Sequence, residues 1–330
     1  MKDNKKLTKT YILLAILIVL IIAGFIFTNS NNQKRNQKTS QTGFYFDTVI
    51  TITIYGKDEK TCNQLILDCF DKANYYENLF SRTKEGSDIY RINKSNGKST
   101  VVDPSPFELI SEALKYAKLS NGLVDPTIGS VSSLWDFHSD NPVVPDDDQI
   151  KEAINHVDYK KVVLDNSNYS VTLEDPKAML DLGFIAKGYI ADKFKSYLKE
   201  SGIESAIINL GGNVVTIGNK PDGTPFQIGI QDPFSSTGTP YTTVDASDLS
   251  IVSSGSYERY FEYNGQKYHH ILDTKTGYPV NSGLAGISVI SESSLQGDAL
   301  STYLFILGEE NAREYAESNE DISIITIPVK

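Results

Sequence analysis

Hydrophobic and polar residues follow two different periods along the first half of the chain. Ile50, Ile52 and Ile54 alternate with polar or aromatic residues, and this period of two predicts a half-buried strand. From residue 58 to residue 80, apolar positions recur every three or four residues, which predicts an amphipathic helix. A second helix is predicted over residues 105–120, before Asn and Gly interrupt the pattern.

The second half of the chain is richer in strand patterns. Strands are predicted near residues 160–165, 169–174, 178–182, 205–210, 213–217, 226–231, 249–253, 259–263, 266–272, 285–291 and 322–327. Asn264-Gly265 between two of them predicts a type I′ hairpin turn. Further helices are predicted over residues 187–198, 294–307 and 310–317. Adjacent hairpins, rather than alternating strand–helix–strand units, indicate an α+β fold with largely antiparallel sheets flanked by helices.

An uncharged apolar run lies close to the N-terminus. It covers residues 11–27, which is 17 residues and about 26 Å of helix. Four lysines precede it, so we expect a single transmembrane anchor in the cell membrane with residues 1–10 in the cytoplasm. A cleaved signal peptide is the alternative, although no clear Ala-x-Ala site follows the run. Residues 28–42 are polar and predict a flexible tether to one extracytoplasmic domain over residues 43–330.

Composition narrows the class of partner and the cysteine chemistry. The net charge of −11 argues against a protein that binds nucleic acid through its phosphate backbone. Cys62 and Cys69 are seven residues apart on a predicted helix, which separates their Cα atoms by about 10 Å. A disulfide spans less than about 7 Å, so we expect two packed thiols.

Four glycine-marked stretches place polar residues at turns. They are residues 122–129, residues 181–192, residues 209–213, and residues 253–260 together with 269–279. Taken singly, each also fits ordinary turn chemistry. In the second stretch a strand ending in Asp-Leu-Gly is expected to precede a helix that begins near Lys187. Such a helix start presents free backbone N–H groups, which bind phosphates well.

Two adjacent histidines, His269 and His270, fall on a predicted strand. Their side chains then point to opposite faces, so at most one of them faces any given site. A histidine with an ordinary pKa of about 6.5 suits general-base catalysis, although a lone histidine is more often structural.

Asp298 and Thr302 are four residues apart on a predicted helix that is otherwise largely apolar. This spacing places both side-chain oxygens on one face, about 6 Å apart. A carboxylate and a hydroxyl suit Mg²⁺, which is completed by carbonyls, water and substrate phosphate. The alternative is a surface aspartate beside a threonine that bonds to its own helix.

The order of these stretches and the residues within them resemble those of the ApbE family, the FAD:protein FMN transferases. The resemblance runs from about residue 44 to the C-terminus. It rests on six ordered segments: VDPTIGSVSSLWDF at 124–137, DLGFIAKGYIAD at 181–192, NLGGN at 209–213, SSGSYERYF at 253–261, HHILDTKTGYPV at 269–280 and GDALSTYLFILG at 297–308.

The resemblance implies an ApbE-like fold, FAD as substrate and Mg²⁺ as cofactor. It implies Mg²⁺ ligation by Asp298, Thr302 and the backbone carbonyl of Phe184, and a base at His270, or at Asp298 acting through a water. It places FAD contacts at Phe46, Thr83, Leu123, Val124, Asp125, Lys187, Ser254, Gly255 and Leu272. Phe46 stands where the family often has methionine, and Thr83 stands where an aromatic residue is usual.

The implied reaction moves FMN from FAD to a threonine of an acceptor protein, with release of AMP. Three alternatives stay open at this point. An FAD pyrophosphatase would use the same pocket and metal, with water as the acceptor. A membrane-tethered flavin-binding module would bind without turnover, and a purely structural surface protein would need none of these residues.

Overall fold

The computed structural model describes residues 37–135, residue 137 and residues 142–330. The predicted cytoplasmic segment 1–10, the predicted span 11–27 and the first part of the predicted tether lie outside the described residues. Among the helices of the described ranges, none combines the length and the apolar character that crossing a membrane requires.

The α-helices of the described residues number eight and range from one turn to six, and a short 3-10 helix covers Tyr159–Lys161. The α-helices are α1 Glu59–Phe80, α2 Asp88–Asn93, α3 Pro104–Leu119, α4 Gly129–Ser132, α5 Asp147–Ile154, α6 Ala186–Glu200, α7 Ser294–Leu307 and α8 Glu309–Glu317. The five longest were predicted from the sequence. The short helices α2, α4 and α5 were missed, because eight residues or fewer show too little of a period to separate a helix from a loop.

The described strands form one large sheet and three small ones. The strands are β1 Lys38–Tyr45, β2 Thr48–Tyr55, β3 Thr100–Val101, β4 Val162–Asp165, β5 Ser170–Leu173, β6 Ala206–Leu210, β7 Asn213–Ile217, β8 Phe226–Gln231, β9 Pro240–Ala246, β10 Ser250–Gly255, β11 Tyr260–Tyr263, β12 Gln266–His269, β13 Leu284–Ser291 and β14 Ile322–Pro328. Every ladder between these strands is antiparallel. The predicted α+β class with antiparallel sheets is therefore confirmed.

The large sheet has seven strands in the order β1-β2-β6-β7-β10-β13-β14. Helices α1, α6 and α7 pack on one face of it, where the core includes Ile52, Ile66, Phe194 and Ile208. The hairpin of β8 and β9 covers part of the opposite face through its own apolar side chains. This arrangement brings α6 and α7, which carry the segments at 181–192 and 297–308, onto the same side of the sheet.

The prediction of a flexible tether is wrong for residues 38–42, because these residues belong to strand β1. Lys38 pairs with Tyr55 and Tyr45 pairs with Thr48, so the whole segment is hydrogen-bonded to β2. The segment KTSQTGFY is mostly polar, and an edge strand of this composition carries no apolar period for sequence analysis to detect.

The strand predicted over residues 178–182 is also absent from the structure. Met179 forms one isolated bridge with Ile128. The Asn93 side chain takes the place of a neighbouring strand: its Nδ2 donates to the Leu180 carbonyl at 3.0 Å, and its Oδ1 accepts from the Leu180 amide at 2.7 Å. The Asn93 side chain, from α2, thus forms the two hydrogen bonds that a neighbouring strand would otherwise form with the Leu180 backbone.

Two local predictions are confirmed. Asn264 and Gly265 join β11 to β12 with positive φ values of 51° and 76°, as a type I′ turn requires. Cys62 and Cys69 are both free and fully buried in the face of α1 that packs on the core. Burial raises the pKa of the Cys69 thiol to about 12.

Candidate active site

A pocket of about 370 Å³ opens between the β1–β2 turn, the end of α1, the start of α6 and the loop after β12. Its volume falls in the range of about 300–1,000 Å³ typical of small-molecule sites. The pocket gathers ten of the residues that sequence analysis singled out: Phe46, Thr83, Leu123, Val124, Asp125, Phe184, Lys187, His270, Leu272 and Thr302. These residues come from segments more than 250 positions apart, so only the fold brings them together.

Asp298 lies immediately behind the pocket wall on α7 and is only 4% exposed. Its Oδ2 accepts a hydrogen bond from the Gly188 backbone amide at 2.8 Å. Burial raises the pKa of this carboxyl, while the charge of Lys187 and the Gly188 amide act in the opposite direction. A carboxylate is thus held at the junction of α6 and α7, facing the cation of Lys187.

The start of α6 differs from the sequence-based expectation. No strand precedes it, since residues 181–185 form a turn, and the helix begins at Ala186. The free backbone N–H groups of this helix start were expected to suit a phosphate, but the Gly188 amide donates to Asp298. The positive end of the α6 dipole is therefore satisfied by a carboxylate of the protein itself.

A second carboxylate fixes the start of α7. Asp192 on α6 accepts from the Ser293 hydroxyl at 2.7 Å, the Ser294 amide at 2.8 Å and the Leu295 amide at 3.0 Å. These bonds satisfy backbone donors that a helix N-terminus leaves free. They also fix how far α7 lies along α6, and with it the position of Asp298 beside the pocket.

Ser254 and Gly255 do not belong to the pocket wall, contrary to the FAD contacts expected for them. Strand β10 packs under α7, so the Ser254 hydroxyl bonds to the Ser301 hydroxyl at 2.8 Å and to the Thr302 hydroxyl at 3.4 Å. A Cβ on Gly255 would lie 2.3 Å from the Tyr257 ring. Ser254 supports Thr302, and Gly255 makes room for Tyr257.

The residues expected to bind Mg²⁺ fit that ion. Phe184 and Thr302 line the pocket, with Asp298 directly behind them. In the described part of the chain, no group of three or more His, Cys, Asp or Glu side chains is arranged to hold a metal. Mg²⁺ does not need one, because it commonly takes one or two carboxylates and completes its shell with water and substrate phosphate. The buried Asp298 carboxylate and the Thr302 hydroxyl, which are four residues apart on α7, offer such a donor set.

His270 lies just after β12 and lines the pocket. Its Nδ1 is 3.3 Å from the Arg259 carbonyl, and this contact assigns the proton to Nδ1 and leaves the Nε2 lone pair free. Burial, followed by the charges of Arg259 and Lys187, lowers the pKa of His270 to about 3. The expected ordinary pKa is therefore wrong, yet the imidazole is neutral at pH 7 and able to accept a proton.

His269 faces away from the pocket, as the strand alternation predicted. It is 7% exposed, and its Nε2 lies 2.9 Å from the Val280 carbonyl. Its Nδ1 accepts from the Ile271 amide at 3.3 Å. Both ring nitrogens are occupied by the backbone, so His269 is a structural residue.

Asp125 lines the pocket, but its carboxylate is occupied by the protein. Oδ1 accepts from the Thr127 amide and hydroxyl at 2.8 and 2.6 Å, and Oδ2 accepts from the Tyr159 amide at 2.9 Å. Burial raises the pKa of this carboxyl. The turn chemistry considered for this segment is therefore present, and it holds Leu123 and Val124 against the pocket.

Several pocket residues were missed by sequence analysis. Glu258 and Arg259 lie within the SSGSYERYF segment, so the motif carried a signal that was not used. Arg82 forms an ion pair with Asp181 at 3.3 Å at the pocket wall. Asp181 is the first residue of the DLGFIAKGYIAD segment, whereas Arg82 stands in none of the six segments and lies 99 positions earlier in the chain.

Comparison with known proteins places this fold and pocket in a defined group. The family model described as "ApbE family" matches residues 46–326. An FAD:protein FMN transferase of Klebsiella pneumoniae (strain 342) is 34% identical over 88% of this chain and 90% of its own. A protein of the same name from Treponema pallidum is 31% identical over 89% and 85%.

Solved structures agree with these sequence relatives. The ApbE protein of Thermotoga maritima superposes with a TM-score of 0.81 at 31% identity, covering 88% of this chain and 94% of that one. The flavin transferase ApbE of Vibrio cholerae gives a TM-score of 0.78 at 25% identity, covering 89% and 94%. The family match extends over nearly all described residues and includes every wall of the pocket, which confirms the resemblance found in the sequence: the chain belongs to the ApbE family.

Proposed function

We propose that this chain is a Mg²⁺-dependent FAD:protein FMN transferase that moves FMN from FAD to a threonine of an acceptor protein and releases AMP. The observation that carries the proposal is that Thr302 and a neutral His270 line one pocket, with the Asp298 carboxylate buried behind its wall. The names of relatives with 31% and 34% identity over most of their length support the same activity.

The pocket offers cations for the pyrophosphate of FAD. Lys187 and Arg259 both line it, and in the described ranges neither forms an ion pair within 4.0 Å. Their charges act on the carboxyl groups of Asp298 and Glu258, and both side chains also line the pocket, where a ligand phosphate would meet them. Phe46 and Leu272 supply apolar surface at the same pocket, which suits an isoalloxazine ring.

His270 is placed to accept the proton of the acceptor hydroxyl at its free Nε2. The threonine Oγ forms a bond to the phosphorus on the FMN side, the bond from that phosphorus to the AMP oxygen breaks, and the electron pair leaves with AMP. Asp298, Thr302 and the Phe184 carbonyl would hold Mg²⁺, which neutralises pyrophosphate charge and lowers the basicity of the leaving group.

For the cellular location, we propose a single-pass membrane protein with its catalytic domain outside the cytoplasm. The support is the apolar run over residues 11–27 with the lysines before it. The first described strand begins at Lys38, so about ten residues would separate the span from the folded domain. The acceptor would then be another protein on the same side of the membrane.

The decisive experiment incubates the full-length protein with FAD and Mg²⁺, with and without extracytoplasmic proteins of the same cell. Transferase activity predicts fluorescent protein-bound flavin, a mass increase of one FMN on a threonine peptide, and AMP release that requires the acceptor. AMP and free FMN in equal amounts, without any acceptor, would identify a pyrophosphatase. Binding of FAD without AMP release would identify a flavin-binding module.

A further inference from the structure

The buried side chain of Asn213 lacks a partner in the free protein. Asn213 is 0% exposed, and in the described part of the chain neither its Nδ2 nor its Oδ1 forms a hydrogen bond. A buried amide without partners is unfavourable for folding, since it has lost its hydration and gained nothing in exchange. An asparagine in this unfavourable state suggests a functional role. Asn213 is the last residue of the NLGGN segment at 209–213, which contributes no residue to the pocket wall.

The sheet directs this amide towards Asp298. Asn213 and Val252 are directly opposite each other on β7 and β10, so their side chains lie on the same face. The Val252 side chain contacts Gly297 on α7, where an added Cβ would lie 2.9 Å from Val252 Cγ2. Asn213 therefore points at α7 next to the residue that precedes Asp298.

From this position the Asn213 amide lowers the pKa of the Asp298 carboxyl, against the rise that burial causes. Gly188 already donates to Oδ2 of this carboxylate. An amide donor from the sheet and a backbone donor from α6 then approach the same carboxylate from two different elements.

The glycine turn before β7 explains why Asn213 stands at this place. Gly211 and Gly212 have φ values of 55° and 101°, which allow the tight connection from β6. A Cβ on Gly211 would lie 1.9 Å from the Thr48 hydroxyl, so no larger residue fits there. The turn begins β7 at Asn213, on a strand that contacts both α6 and α7.

We propose that Asn213 is a positioning residue whose side-chain amide orients the Asp298 carboxylate for Mg²⁺, an inference that rests on the proposed function. Groups that hydrogen-bond a metal ligand fix its orientation and its charge, and their loss typically weakens metal binding about 10–100-fold. Asparagine suits this place, because aspartate would set a second negative charge beside Asp298 and leucine would offer no donor.

The test compares Asn213→Leu with Asn93→Leu as a matched control. Asn93 is also buried, but its amide is fully used by the Leu180 backbone. Two quantities are measured: the melting temperature without ligands, and the Mg²⁺ concentration that half-saturates FAD binding, followed by flavin fluorescence. Asn213→Leu should lower the melting temperature less than Asn93→Leu does, because in the free protein the Asn213 amide has no hydrogen bond to lose. It should raise the half-saturating Mg²⁺ concentration about 10–100-fold.

The control should behave in the opposite way. Asn93→Leu should lower the melting temperature more and leave the half-saturating Mg²⁺ concentration unchanged. If Asn213→Leu lowers the melting temperature and leaves Mg²⁺ dependence unaltered, Asn213 is structural and the proposal is overturned. Asn213→Ala, which is smaller and removes the donor, serves if the leucine variant does not fold, and it should also raise the half-saturating Mg²⁺ concentration. An alanine variant equal to wild type in Mg²⁺ dependence would then overturn the proposal.

The same measurements separate this proposal from the proposed function. If the wild type binds FAD in a Mg²⁺-dependent way but never transfers FMN, the proposed transferase activity is wrong. The Mg²⁺ titration of FAD binding by the Asn213 variants still tests the positioning role. If FAD binding by the wild type does not depend on Mg²⁺, the positioning role is overturned, and transfer is judged separately from the flavinylation assay.

Discussion

The backbone amide of Gly188 and the carboxylate of Asp298 join α6 to α7 through a hydrogen bond of 2.8 Å. The two helices approach this closely only because residue 188 is glycine: an added Cβ would lie 2.7 Å from Asp298 Cβ and 2.2 Å from the Ser294 carbonyl oxygen. The bond also places a negative charge at the N-terminus of α6, where the helix dipole stabilises it. One contact thus sets both the packing of two helices and the position of the site carboxylate.

Gly188→Ala should therefore destabilise the fold and impair the site together. The added methyl group would clash with the Ser294 backbone and with the buried Asp298 side chain, so α6 and α7 would have to move apart. We expect this to lower the free energy of unfolding by on the order of 1–3 kcal/mol. Urea unfolding measures the loss, and flavin transfer by the fraction that stays folded measures the effect on the site. Glu200→Ala, at the exposed end of the same helix, is the control and should change neither quantity. A Gly188→Ala protein with wild-type stability would show that the helices are free to adjust.

The metal ligands make the next prediction. Asp298→Ala should abolish FMN transfer and Thr302→Val should weaken it, because each removes an oxygen from a donor set that has few others. Circular dichroism should show both variants folded. Initial rates across a Mg²⁺ titration are the measurement, and wild-type turnover by Asp298→Ala at low Mg²⁺ would contradict the assignment.

The sequence predicted those parts of the fold that are determined locally. The turn at Asn264-Gly265 follows from the two residues that form it, and the period of α1 follows from its own 22 positions. The segment at 178–182 was assigned wrongly because its backbone is satisfied by Asn93, which lies 87 positions from Leu180. No local pattern reports such a partner.

In the site, too, locally determined features were predicted and features that depend on distant residues were not. The six motif segments identified most of the pocket, since each keeps its residue types in order. The segments did not show which way each side chain points. Ser254 was expected to contact FAD, but its hydroxyl bonds to the Thr302 hydroxyl. The Asp125 carboxylate, also expected to contact FAD, accepts hydrogen bonds from Thr127 and Tyr159. The low pKa of His270 arises from burial and from Arg259 and Lys187, so it depends on the assembled pocket.

The β1–β2 turn supplies a prediction about strain. Phe46 and Asp47 both have φ of 55°, a left-handed conformation that is unfavourable for residues other than glycine and unusual for phenylalanine. The Phe46 amide is fixed by Glu77 Oε1 at 2.7 Å. Asp47→Gly should stabilise the fold by up to about 1 kcal/mol, since glycine is favoured at the second position of such turns.

Because Phe46 lines the pocket, its own replacement should act differently. Phe46→Gly should relieve strain equally but weaken FAD binding, whereas Asp47→Gly should leave the Phe46 ring in place. Urea unfolding and a fluorescence titration with FAD separate the two effects. A loss of stability in Asp47→Gly would mean that the aspartate side chain makes a contribution larger than the strain.

The membrane assignment predicts where the mature protein is found. If residues 11–27 span the bilayer and stay uncleaved, the full-length protein should fractionate with membranes and be released by detergent but not by high salt. Mass spectrometry should recover peptides from the first ten residues. A mature N-terminus between residues 25 and 45 would instead establish a secreted protein.

His270 leads to the last prediction, which concerns both rate and pH. His270→Ala should lower the transfer rate by about 10²–10⁴-fold, the usual contribution of a general base, and still bind FAD. His269→Ala should change the rate little at temperatures where it stays folded, because its nitrogens bond to the backbone away from the pocket. An equal or greater loss in His269→Ala would show that the two histidines have been assigned to the wrong faces.

The pH profile tests the same residue independently. Only neutral His270 accepts a proton, so its contribution is present above its pKa and disappears as the pH falls through that value. With the pKa lowered to about 3, kcat/KM of the wild type should show no His270-dependent decline between about pH 8 and pH 5. The ratio of wild-type to His270→Ala rates should be constant over this interval, with circular dichroism confirming the fold at each pH. A ratio that falls with a midpoint near 6.5 would show that the free enzyme holds an ordinary, solvent-accessible imidazole at this position.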